Sequence, residues 1–169
     1  MLITQEWLKG HKACQTGIDW VVDTGEWDVK KLVKLAIKSD QKEILKYANW
    51  GIVRCLNKEK CIKYAIYSAK LVVGFYEKYK TGDQRPRRAI NAAQNYLKLG
   101  NKAAADAADA ADAAYAAADA AYAAAADAAY AAGAGNIILI KILKYGLKLI
   151  PYDSTRTKRG NKETDGSPT

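Results

Sequence analysis

Only one histidine, His11, occurs in the 169 residues, no serine–histidine–acid set is recognisable around it, and no glycine-rich phosphate loop is present. With no activated nucleophile or base to nominate, there is no catalytic residue and the reading is non-enzymatic. Cysteine is scarce and odd in number: Cys14, Cys55 and Cys61. Met1–Gly10 carries no signal-peptide pattern, so these read as reduced thiols of a cytoplasmic protein, packed as small apolar side chains. His11 could join them in a Cys3His zinc set. The spacings H-x2-C and C-x5-C lack the short pairs of a compact zinc knuckle, so neither metal nor cofactor is expected. No apolar run reaches the ~18 residues of a membrane span. No window alternates with period two, which leaves strands out.

What the chain has instead is helical periodicity. Thr4 is placed to cap a short turn ahead of Trp7 and Leu8. Lys12–Val22 puts Cys14, Ile18 and Val21 or Val22 on one face, and Gly25 ends it. Asp28 caps a third piece with Val29, Leu32, Val33 and Ala36 as its stripe. Asp40 is expected to cap the next, 41–56, with Ile44, Leu45, Ala48, Ile52 and Leu56 inward. Asn57 caps 58–80, whose apolar positions (Ile62, Ala65, Ile66, Ala69, Val72, Val73, Tyr76) recur at three and four residues. Gly82 closes that helix, and Asp83 starts another, with Pro86 where a first turn tolerates proline and Ala89, Ile90, Ala93 and Leu97 buried.

Residues 103–134 hold 23 alanines, five aspartates, three tyrosines and one glycine. Alanine has the best helix propensity, so one helix on the order of 45 Å is expected. Its aspartates, with Tyr115, Tyr122 and Tyr130, share about half the circumference, and the rest is bare alanine. That smooth face reads as a packing surface rather than an ice-binding or partner-docking one. Asp106, Asp109 and Asp112 could gather a divalent cation. Without a second carboxylate helix they read as a solvated face or as counter-charges for arginines. Asn136 is expected to cap 137–150, where Lys141, Lys144 and Lys148 occupy a narrow arc; a core helix with a thin solvated stripe is favoured over a membrane-surface one. The expectation is an all-α single-domain bundle of about six to eight helices over 1–151, with a flexible polar tail at 152–169.

Formal net charge is +9, and outside 103–134 the chain carries 27 cations against 13 anions, or +14. Charge is therefore segregated, which favours internal pairing or an acidic partner. The sharpest feature is Asp83-Gln84-Arg85-Pro86-Arg87-Arg88-Ala89-Ile90. Three arginines in a first helical turn stand against the positive end of the helix dipole, and something anionic must offset them. Either Arg85 and Arg87 fork onto Glu77 and Asp83 and staple two helices, or the corner, with the free N–H groups of the helix start, holds a phosphate or a partner's carboxylates. The staple is preferred for Arg85 and Arg87, and Arg88, one residue further round, is the candidate for an exposed contact.

Several stretches resemble the all-α immunity-protein family found beside bacterial polymorphic toxins and also encoded by phages. They are A-C-x-x-G-x-x-W at Ala13–Trp20, Trp50 near a helix start, 63–78 (KYAIYSAKLVVGFYEK), D-x-R-P-R-x-A-I at Asp83–Ile90, the Asp/Tyr alanine helix, and I-L-K-Y-G at Ile142–Gly146. Lys70 and Gly74 depart from that pattern, standing where acids are usual, as does Asn91, where glutamate is common. The resemblance implies a protein that neutralises a toxin or host factor by direct binding; the candidate contacts on this chain are Arg88, the Tyr115/Tyr122/Tyr130 row and the aspartate face. The alternative is a phage-type counter-defence protein that takes a nucleotide or nucleic acid at the arginine turn. A homo-oligomer is compatible with both, and a membrane-surface role is the least favoured.

Overall fold

The computed structural model describes residues 1–79, 82–99 and 134–151. Among them the chain forms seven helices and no strand: α1 (Gln5–Gly10), α2 (Gln15–Thr24), α3 (Val29–Ser39), α4 (Lys42–Cys55), α5 (Lys58–Tyr79), α6 (Arg85–Leu99) and α7 (Gly135–Leu149). The expected alanine-rich helix, with its tyrosine row and aspartates, and the expected tail lie outside the described residues.

Local chemistry sets the helix ends. Thr4 Oγ1 accepts from Trp7 N at 3.1 Å, Asp28 Oδ1 from Lys31 N at 3.2 Å and Asn57 Oδ1 from Lys60 N at 3.0 Å, each satisfying an orphan donor of the first turn. Gly25 ends α2 in the left-handed conformation, at φ 62°. Two expected caps differ. Asp40 does not start α4; it ends α3 with φ 51°, and Gln41 precedes α4. Asn136 does not cap α7, which begins one residue earlier. Its amide instead donates to Asp40 O at 2.7 Å and Asp40 Oδ1 at 3.1 Å, tying the start of α7 to the α3–α4 turn. In both cases a short polar side chain serves a tertiary contact or a left-handed turn as readily as a helix start.

The main core draws buried residues from α1 to α5 and from α7. In α3 the stripe Val29, Leu32, Val33 and Ala36 is buried as expected, and Leu45, Ala48 and Ile52 of α4 face it. Helix α7 packs against α3, α4 and α5, burying Ile138, Leu139, Ile142 and Leu143 while Lys141, Lys144 and Lys148 stay exposed. Most of its apolar surface is therefore core, with Ile137 exposed at the start of the helix. The close approach centres on Gly146, where an added Cβ would stand 2.8 Å from both Ile52 Cδ1 and Tyr64 Cε2. Helix α5 has two buried faces rather than one. Tyr64, Ser68 and Val72 turn to the main core, with the Tyr64 hydroxyl donating to Asn49 Oδ1 at 2.6 Å, whereas Ile62 meets Ala93 of α6 in a small separate cluster.

Candidate functional site

The arginine corner is built where α5 turns into α6. Gly82, at φ 91°, reverses the chain, and the Asp83 carboxylate closes the new helix by accepting from Arg85 N at 3.0 Å. Pro86 is the second residue of α6, where a missing N–H leaves nothing unsatisfied. The same carboxylate takes the Arg85 side chain. Arg85 Nε donates to Oδ1 at 3.0 Å and Oδ2 at 3.2 Å, and Nη2 donates to Oδ2 at 2.8 Å. From α5 the Tyr76 hydroxyl adds a third bond to Oδ2 at 2.6 Å. Two residues further along, Arg87 Nε donates to Glu77 Oε1, and Nη2 donates to Glu77 Oε2 at 2.7 Å, a bidentate fork.

These contacts shift the acids and bases in the expected senses. Hydrogen bonds from Arg85, then from Tyr76, hold the Asp83 carboxyl well below the usual carboxylate range. Arg85 is raised by its bonds to Asp83, and Tyr76 is raised because its hydroxyl donates to that carboxylate. Glu77 is lowered by Arg87, which is itself raised by Glu77. The carboxylates are mostly covered (Asp83 17% exposed, Glu77 24%), yet the guanidinium side chains remain open at 83% for Arg85 and 58% for Arg87. Both arginines are gripped through Nε and Nη2, so Nη1 is left for another acceptor.

Arg88 is exposed and has no ion-pair partner among the described residues. Ala89 and Ile90 lie beneath the corner, Ile90 at 8% exposure, and seat α6 on α5. The structure thus brings together Glu77, Asp83, Arg85 and Arg87, and leaves Arg88 beside them. Tyr115, Tyr122 and Tyr130 lie outside the described residues.

The cysteines correct an expectation. Cys14 is not a buried filler: it precedes α2 and is exposed, with Sγ 3.5 Å from Thr16 Oγ1. Cys55 and Cys61 are half-buried. Burial pushes the Cys55 thiol up to about 11, and Cys61 donates to the Val53 and Leu56 carbonyls at the end of α4. Among the described residues no three histidine, cysteine or acidic side chains gather as a metal site, and no helix is long and apolar enough to cross a membrane.

Sequence reasoning missed one feature, an apolar cleft of about 340 Å³ between α1, α2, α3 and α4, walled by Trp7, Trp20, Tyr47 and Trp50. Its only sequence signal is a surplus of tryptophan in the first fifty residues. Comparison with known proteins adds nothing: no family model, no curated protein and no solved structure matches the chain.

Proposed function

We propose that the chain is a non-enzymatic cytoplasmic binding protein, of the immunity or inhibitor kind, that neutralises a toxin or host factor by covering an acidic surface with the arginine corner. The observation that supports this most is pre-organisation. Arg85 and Arg87 are held in place by Asp83 and Glu77 on one edge and open on the other, so little rotamer entropy is lost when they meet a partner's carboxylates. Arginine is, with tryptophan and tyrosine, a residue type enriched among the hot spots of protein interfaces. The resemblance through D-x-R-P-R-x-A-I points the same way. A nucleic acid at the corner has less support, because the lysines are scattered over nearly every helix rather than clustered and the sequence carries no recognised DNA- or RNA-reading motif.

The test is co-purification of the tagged full chain with its natural host lysate, beside Arg88→Glu. A stoichiometric protein partner retained by the wild type, and lost by a charge-reversed variant of unchanged melting temperature, is the expected result. No such partner, or one that Arg88→Glu holds equally well, overturns the reading. A thermal shift with nucleotides that disappears in Arg88→Glu would move the function to the small-molecule alternative.

A further inference from the structure

We propose that the cleft between α1, α2, α3 and α4 is a binding site for a small amphipathic carboxylic acid, its aryl or acyl body among the tryptophans and its carboxylate at Lys12. The cleft is built from different helices than the arginine corner, so it stands or falls independently of the function proposed above.

Three observations converge. First, the volume of about 340 Å³ falls within the range of small-molecule sites, and the walls have their composition: mostly aromatic and aliphatic, with few polar groups. Trp7, Trp20, Trp50 and Tyr47 are only half-buried, and Leu8 and Val33 form part of the lining.

Second, Gly51 lines the cleft from the middle of α4 with no evident structural need to be glycine. At Gly17 a Cβ would meet Cys14 Sγ at 3.3 Å and at Gly146 it would meet Ile52 and Tyr64 at 2.8 Å, whereas Gly74 of α5, like Gly51, has open space where a Cβ would stand. At Gly51 nothing lies within 4 Å. A mid-helix glycine weakens a helix relative to alanine. What this one preserves is open space in the cleft.

Third, Lys12 occupies a backbone position that suits glycine. The end of α1 is a Schellman motif: Lys12 N donates to Lys9 O at 2.9 Å and Ala13 N to Leu8 O at 3.0 Å, with Lys12 at φ 60°. A lysine held there in the left-handed conformation works against local preference. Lys12 is an exposed residue of the lining with no ion-pair partner among the described residues, whereas the other lysine of the lining, Lys46, is bound to Glu43 at 3.0 Å. The cleft therefore carries one uncompensated positive charge over an apolar interior, the complement of an amphipathic acid. Lys12 and Gly51 both fall on the lining of this cavity, while Asp40 at φ 51° and Gly74 in α5, departures of the same kinds, lie outside it.

The probes are 4-phenylbutyrate and decanoate, each beside its neutral alcohol, titrated into the full-length protein by tryptophan fluorescence and calorimetry. Saturable binding is expected, with the acid preferred by about two- to fivefold, the range of one solvent-accessible ion pair. Lys12→Gly should melt at or above the wild type and lose that preference. Gly51→Leu should also melt at or above the wild type and abolish binding. In the wild type, probe should slow alkylation of Cys14, which lines the cleft. The proposal is overturned if neither acid saturates, if Gly51→Leu binds as the wild type does, or if acid and alcohol bind the wild type equally. Should Gly51→Leu fold poorly, the Lys12→Gly preference and the Cys14 protection decide the matter by themselves.

Discussion

At Gly146 two opposed effects can be weighed residue by residue. Alanine would gain about 1 kcal/mol of helix propensity. Its Cβ, however, would overlap Ile52 and Tyr64, both buried and packed by the surrounding helices, and overpacking of this kind costs about 1–3 kcal/mol. Gly146→Ala is therefore expected to lower the urea midpoint, whereas Gly51→Ala, with nothing within 4 Å of the new methyl, should raise it. Two substitutions of the same chemistry with opposite signs are the prediction; a stabilised Gly146→Ala would refute the close-packed account of α4, α5 and α7. Residue-level reading from sequence succeeded where polarity and burial agree, as for Val29, Leu32, Val33 and Ala36. It failed at Tyr64 and Ser68, whose polar atoms disguise core positions. Tyr64 can be buried because Asn49 receives its hydroxyl, and Ser68 because its hydroxyl returns to the Tyr64 carbonyl at 2.9 Å.

At the scale of elements, the α5–α6 junction depends on ionised carboxylates. Asp83 and Glu77 both titrate below their usual values, so each contributes stability that is present above its unfolded pKa of about 4 and is lost as pH falls below it. Asp83→Asn and Glu77→Gln should each lower the melting temperature at neutral pH, and the gap from the wild type should narrow progressively below about pH 4. A gap that is constant down to acid pH would mean that the carboxylates act by shape and not by charge. The second such junction is Asn136 with Asp40. Asn136→Ala should cost about 1 kcal/mol in chemical denaturation, the worth of a typical side-chain hydrogen bond; no change in midpoint would show that packing of α7 alone holds that corner. The turn motif of the first junction was legible, since its donors and acceptors sit within ten residues of one another. The second spans 96 residues, and no local pattern could reveal it.

For the whole molecule, the division of the core has a dynamic consequence. Helices α3, α4 and α7 share one large cluster, while the buried contacts of α6 are to a small one around Ile62 and Ala93. Few buried apolar contacts mean a low free energy of local opening. Amides of α6 should exchange with deuterium faster than those of α4 and α7; equal protection would show that α6 is coupled to the main core. Leu143→Ala, at a fully buried position, should cost about 2–5 kcal/mol and raise exchange everywhere.

Composition, periodicity and capping residues determined the helical class, most helix boundaries and the corner where arginines meet acids, because each depends on interactions within a few turns of chain. Which face of α5 meets which neighbour, that Cys14 is exposed, and that a cleft opens beside Trp7, Trp20 and Trp50 were decided by tertiary packing. Those features arise from helices far apart in sequence coming to fixed distances, and that spacing is set by the volumes of side chains that no local window contains.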